Sequence, residues 1–212
     1  MNSSPYHMGK MHQRPVIVRQ NVIGQGMSAI YANLVGGQDE LVFDGCSFAM
    51  NTDGKVCVQL KQCEEDLEIV SFDNKQPVNG RMEEHPTVES EVYRALVLGV
   101  RDYVTKNGFP GVIIGLSGGV DSALVLAIAV DALGPEKVRA VMMPSPYTSD
   151  ISQIDASDMA GRLKVAYDEI PISDCFSSFL STLAPQFNKL PEDSTEENLQ
   201  ARIRGTLLMA LS

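Results

Sequence analysis

Residues 117–122 read Ser-Gly-Gly-Val-Asp-Ser and join a β-prone run to an apolar helical run. Three chemistries suit a glycine-rich turn in that place. A Walker-type phosphate loop requires a Lys directly after its last glycine, and none follows here. A nucleophile elbow reads Gly-x-Ser-x-Gly, which Gly115, Leu116, Ser117, Gly118 and Gly119 satisfy. Ser117 would then need an acid and a later His, yet His7, His12 and His85 all precede it. The third chemistry is an anion cradle. Gly118 and Gly119 lack Cβ atoms, so the backbone can approach a phosphate and take positive φ. The N–H groups of residues 118–122 would emerge at the positive end of a helix dipole, with the Ser117 and Ser122 hydroxyls beside them. Asp121 repels phosphate but suits a Mg²⁺ ion carried in on pyrophosphate. The plain alternative is a tight turn with Asp121 as N-cap, although such a turn asks for only one glycine.

The surrounding sequence supplies elements to hold that corner. Residues 1–72 read as strands with polar turns, among them the runs 30–35, 40–50 and 55–60, with a hairpin turn at 51–54. Residues 73–86 are polar, hold two prolines and read as a linker. A helix capped by Thr87 then runs to about residue 107, with Glu89 and Glu91 in its first turn. Beyond it strands and helices alternate: strand 111–116, helix 121–133, strand 137–143, helix 150–163, strand 165–170, helix 174–183. That alternation predicts βαβ units and a parallel sheet. Helix 121–133, apolar nearly all round, suits tight packing on the sheet. The last helix begins with Ser194 as N-cap and Glu197 as the capping-box partner, and buries Leu199, Ile203, Leu207 and Ala210.

Composition narrows the function. The chain has 212 residues, a hydrophobic fraction of 44% and a net charge of −10. The acidic balance and the absence of a basic run argue against a nucleic-acid partner. No signal-peptide pattern opens the sequence and no apolar run spans a bilayer, so a cytoplasmic setting without a membrane partner is expected. Cys46, Cys57, Cys63 and Cys175 form no C-x-x-C pair and no zinc spacing, and are read as reduced thiols.

The run 117–122 resembles the pyrophosphate loop of the ATP-pyrophosphatases, which cleave ATP to AMP and pyrophosphate. "SEVYRALVLGVRDYVTKNGFPGVIIGLSGGVDSALVLAIAVDALG", "VMMPS" and "ENLQARIRGTLLMALS" look more closely like glutamine-dependent NAD synthetase over residues 87–212. "SPYHMGK" and "NLVGGQDELVFDGCSF" look like the late part of the nitrilase-type glutaminase domain fused ahead of that synthetase. The resemblance implies an α/β fold. A doubly wound parallel sheet of the adenine nucleotide alpha hydrolase type follows the strand-rich end of a nitrilase-type α-β-β-α domain. It implies domains at 1–72 and 87–212, an internal piece of a longer chain, and a homo-oligomer when intact.

Site roles follow from the same resemblance. Gly115, Leu116, Ser117, Gly118, Gly119, Val120, Asp121 and Ser122 would bind ATP, with Asp121 ligating Mg²⁺. Met142, Met143 and Pro144 would lie against adenine, although the two methionines fit plain strand core equally. Asn198 and Arg202, four apart on one helical face, would contact deamido-NAD, with Arg204 a lesser candidate on another face. Ser4 and Lys10 would contact glutamine. The catalytic Glu, Lys and Cys of the glutaminase fall upstream of "SPYHMGK", so no residue here is expected to hydrolyse glutamine, and Cys46 matches no nucleophile motif.

Overall fold

The computed structural model describes residues 2–187 and 193–212. Contacts divide the chain into Met1–Lys106 and Asn107–Ser212.

The first unit runs α1 (Lys10–Gln25), β1 (Ala29–Tyr31), β2 (Val35–Gln38), β3 (Leu41–Asp44), β4 (Phe48–Met50), β5 (Val56–Gln59), β6 (Phe72–Asp73), β7 (Gln76–Pro77) and α2 (Val88–Lys106). β4 lies between antiparallel β1 and β5, with Ile30 opposite Ala49 and Ala49 opposite Val58. The hairpin turn falls at 51–54 as expected, with Gly54 at φ 75°. Helix α1 was not legible in a region read wholly as strand and turn, and it carries Pro15 in its interior. It is held by tertiary contacts. Val22 is buried with Phe48 and Met50. Arg14 makes a two-pronged pair with Asp44, its Nη1 and Nη2 donating to the carboxylate oxygens at 2.9 and 2.6 Å.

Helix α2 is capped where expected, the Ser90 amide donating to Thr87 Oγ1 at 3.3 Å. It lies on the β2–β3 hairpin, where Ala95 and Leu98 join Cys63, Val35 and Val42. The approach is close: a Cβ on Gly37 would stand 3.3 Å from the Gly99 Cα. The Gly37 amide donates to Asp102 Oδ2 at 2.8 Å and Lys106 Nζ donates to the Gly37 carbonyl at 2.6 Å. By contacts, α2 therefore groups with the first unit, whereas the sequence reading opens the second domain with it. The stretch read as a linker holds the β6–β7 hairpin and passes beside β5, where the Gln59 amide donates to the Arg81 carbonyl.

The second unit runs β8 (Val112–Gly115), α3 (Val120–Leu133), a 3₁₀ turn (Pro135–Lys137), β9 (Val138–Met142), α4 (Asp150–Leu163), β10 (Ala166–Glu169), α5 (Ser173–Phe187) and α6 (Ser194–Leu211). The sheet order is β10-β9-β8, all parallel, with Gly115 opposite Val141 and Ala140 opposite Tyr167. Val141 and Met143 cluster with Ile172 before α5, Phe176 of α5 and Ile203 of α6. Ala140 and Met142, on the alternate face, are equally buried. Both faces of β9 are thus covered, as a parallel sheet between helix layers requires.

Two helix details differ from expectation. α3 buries Leu126, Ile128 and Ala129, but Leu124 and Val125 stand exposed, so it is not packed all round. α6 is capped by Asp193, not Ser194. The Asp193 carboxylate accepts from the Thr195 amide at 2.7 Å, and Glu196 accepts from the Asp193 amide at 2.8 Å. The capping box is therefore shifted by one residue. Ile203 is buried and Leu199 and Leu207 are half-buried, whereas Ala210 is exposed and Leu208 and Leu211 complete the stripe.

Candidate nucleotide site

The Leu116 amide donates to the Val141 carbonyl at 2.9 Å, extending the β8–β9 pairing to the edge of the turn. Ser117 then leaves the sheet. Gly118 takes φ 79°, and Gly119 returns to an extended φ of −87° as the N-cap of α3. Only the first glycine thus uses the left-handed region. Its Cβ position is filled by the Ser152 carbonyl, near the start of α4, so Gly118 is demanded by packing as well as by φ.

The turn is braced from within. Ser122 Oγ donates to the Gly119 carbonyl at 3.0 Å, and the Ser117 amide donates to Ser122 Oγ at 3.1 Å. The Ser117 and Ser122 hydroxyls lie 2.9 Å apart. The Gly119 amide is taken by Ser117 Oγ at 3.2 Å. The amides of Gly118, Val120, Asp121 and Ser122 have no hydrogen-bond acceptor among the described residues. The Asp121 carboxylate does not cap the helix: it sits exposed in the first turn and makes no hydrogen bond or ion pair among the described residues. The plain-turn alternative needed that cap, so Asp121 is left with no structural task in the turn.

A cavity of about 490 Å³ opens beside the turn. It is lined by Gly115, Leu116 and Ser117, by Val141, Met142 and Met143, by Thr148, and by Ala201, Arg204, Gly205 and Leu208 of α6. Met143 packs in the core with Ile203 and Phe176 and also lines the cavity. Asn198 and Arg202 are exposed and line neither this cavity nor its neighbour of about 620 Å³, which is bounded by Ser145, Tyr147, Thr148, Asp193, Glu196, Glu197, Gln200 and Arg204. Arg204 lines both. Its Nε donates to the Met143 carbonyl at 3.1 Å, a link across 61 positions that no sequence spacing announces.

Ser4 and Lys10 belong to the first unit. The Ser4 amide donates to Asn33 Oδ1 at 3.0 Å, and Arg14 donates to the Ser4 carbonyl at 3.0 Å and to its hydroxyl at 3.3 Å. Lys10 opens α1 after Gly9 at φ 74°. Cys46 lies between β3 and β4, outside either strand, and burial pushes its thiol up to about 12, so it stays protonated and unreactive. No described residues group three or more His, Cys, Asp or Glu side chains as a metal cluster. A lone carboxylate such as Asp121 still matches a cation held largely by phosphate oxygens and water.

The sequence pattern of the NAD synthase family matches residues 92–212, more than half of the chain. The chain belongs to the NAD synthase family. All of it aligns with glutamine-dependent NAD(+) synthetases, at 48% identity for that of Acinetobacter baylyi and 43% for that of Synechocystis sp.. It spans about 40% and 38% of their respective lengths. The glutamine-dependent NAD+ synthetase of Acinetobacter baumannii, solved with adenosine diphosphate, superposes with a TM-score of 0.96 at 48% identity. The match covers 100% of this chain and 41% of that one. The α/β fold with its parallel sheet is thus that of the family. No helix among the described residues is long and apolar enough to cross a membrane.

Proposed function

We propose that this chain forms part of a ligase that amidates deamido-NAD to NAD, using ATP and ammonia released from glutamine. The observation that carries the reading is the turn at 117–122, whose unaccepted amides lie beside a cavity of about 490 Å³. In this assignment residues 87–212 hold the first part of the synthetase domain and residues 1–72 the last part of the glutaminase domain. The second assignment draws support from relatives that match the whole chain and are named for glutamine dependence.

ATP would lie with adenine on Met143 and its β- and γ-phosphates at the amides of Gly118 and of Val120 to Ser122. Asp121 would hold Mg²⁺, which neutralises charge on the departing pyrophosphate. The nicotinate carboxylate of deamido-NAD attacks the α-phosphorus, the bond to the β-phosphate oxygen breaks, and pyrophosphate leaves. Ammonia then attacks the acyl carbon, loses a proton and displaces AMP. Asn198 and Arg202 would meet the deamido-NAD, and Ser4 and Lys10 the glutamine. The turn acts by electrostatics: its donors stabilise charge that grows on the leaving group. Binding would also need the Ser117 proton to turn from Ser122 Oγ, and the Ser122 proton from the Gly119 carbonyl, toward phosphate. Loss of one such donor costs about 3 kcal/mol of barrier.

Calorimetric titration with ATP, and separately with deamido-NAD, tests the reading. Binding of both supports it, and failure of ATP to bind overturns it. Equal formation of NAD and AMP from deamido-NAD, ammonium, ATP and Mg²⁺ tests the reaction itself.

A further inference from the structure

The cavity beside the turn is lined by backbone, apolar side chains and two hydroxyl groups, with Arg204 as its single charged side chain. A guanidinium has five N–H donors. Here Nε meets the Met143 carbonyl, and Nη2 reaches the Gln200 amide oxygen only at 3.5 Å, the limit of a hydrogen bond. No carboxylate of the described residues lies within ion-pair distance of it, and Nη1 has no partner among them. A half-buried cation held by one neutral carbonyl is unfavourable unless an anion completes it. Burial already pulls its pKa below the usual arginine value, with no opposing charge to restore it.

Helical geometry separates this arginine from its neighbour. Ala201, Arg204, Gly205 and Leu208 form one stripe facing the cavity. At about 100° per residue, Arg202 falls roughly 110° from the centre of that stripe. Ala201 and Gly205 are small, which leaves room beside the guanidinium for a ligand. The tether to Met143 fixes the guanidinium beside the residue against which adenine would lie, in a cavity that Ser117 also lines. The phosphate that lies between an adenine on Met143 and a pyrophosphate on the turn is the α-phosphate.

We infer that Arg204, and not Arg202, is the side chain that binds the α-phosphate of the nucleotide in this cavity. The Met143 carbonyl holds Nε and leaves Nη1, which has no partner among the described residues, for a nonbridging oxygen. The acidic neighbouring cavity, with Asp193, Glu196 and Glu197, disfavours a phosphate on the other side of the same guanidinium. Arg204 would therefore orient the phosphorus that the carboxylate attacks. The inference rests on the nucleotide reading of the site.

AMP carries the α-phosphate alone, so it separates this contact from those of the turn. Affinities for ATP, AMP and adenosine are measured by ligand-observed NMR for the 212-residue chain, Arg204→Gln and Lys137→Gln. Arg204→Gln should weaken ATP and AMP about tenfold or more and leave adenosine unchanged, as loss of a charge-assisted hydrogen bond requires. Lys137→Gln, which removes a charge outside both cavities, should bind AMP as the unmutated chain does. A second measurement needs no mutation: AMP should shift the Arg204 Nε resonance, and adenosine should not. Unchanged AMP binding by Arg204→Gln, an equal loss of adenosine binding, or an Nε resonance indifferent to AMP overturns the inference alone. Failure of the unmutated chain to bind ATP overturns the nucleotide reading as well.

Discussion

Gly118, at φ 79°, occupies a position where any Cβ would collide with the Ser152 carbonyl near the start of α4. The adjacent glycine is different. Gly119 is extended, and a Cβ there would meet only Ser117 Oγ, at 3.4 Å. The two glycines of the turn therefore serve separate ends, one packing the loop against α4 and the other leaving its outer face open.

Gly118→Ala should lower the stability of the chain by about 1–3 kcal/mol, because it combines left-handed strain with a clash against backbone. Gly119→Ala should change stability by less than about 0.5 kcal/mol, yet weaken ATP binding by crowding the phosphate path. Thermal melts and ATP titrations of both variants give the comparison. Equal melting temperatures for the two would show that the α4 contact constrains nothing.

Asp121→Asn separates metal from fold. The carboxylate caps nothing, so its removal costs only its interaction with the helix dipole, about 0.3–1 kcal/mol. ATP affinity in the presence of Mg²⁺ should fall about tenfold, while affinity in EDTA should hold or rise as a repelling charge is lost. Parallel titrations with and without Mg²⁺ check this. A variant as Mg²⁺-responsive as the unmutated chain would remove Asp121 from the metal site.

Asp44 and Arg14 are buried together, with side-chain exposures of 0% and 4%. Asp44→Ala strands the guanidinium and should cost about 3–5 kcal/mol in urea unfolding. Replacing both by apolar residues, Arg14→Met with Asp44→Leu, should recover most of that loss. Arg14 also donates to the Ser4 carbonyl and hydroxyl, so either change should loosen the first residues of the chain. If the double variant is no more stable than Asp44→Ala, the unpaired charge is not what the single substitution exposes.

The parallel sheet was legible because each strand–helix unit is local: five of the elements from β8 to α4 and β10 begin within a residue or two of their expected positions. The geometry of the turn was legible because its residues are contiguous. α1 was not, since its sequence is polar and includes Pro15, and its order comes from Val22 and Arg14 meeting partners 26 or more positions away. The α6 capping box was misplaced by one because Asp193, Ser194 and Thr195 are all competent caps and both Glu196 and Glu197 follow. Helical spacing shows that Asn198 and Arg202 share a face, but not which face meets a cavity: Arg204 lines one and Arg202 does not.

Asp102 ties α2 to the β2–β3 hairpin and should make that tie sensitive to acid. Burial acts to raise its carboxyl, but the Gly37 amide, Lys106 and Arg101 outweigh it, and the group titrates below its ordinary value of 3.8. A carboxyl held low in the folded state stabilises the fold above its ordinary value and loses that contribution as pH falls through the folded one. The stabilisation should therefore be complete near pH 5 and decline below about 3.8. Asp102→Asn keeps an acceptor for the Gly37 amide but removes the charge facing Lys106 Nζ, 3.1 Å away. At pH 7 it should cost about 0.5–1.5 kcal/mol, the range for a typical net hydrogen bond, since an acceptor remains. The gap between variant and unmutated chain should close as pH drops from 5 to 3. Urea unfolding at half-unit pH steps, followed by far-ultraviolet circular dichroism, measures that gap directly. A difference that stays constant across the range would mean that the Asp102 charge contributes nothing to docking α2, and that Gly37, Gly99 and the apolar contacts hold the helix alone.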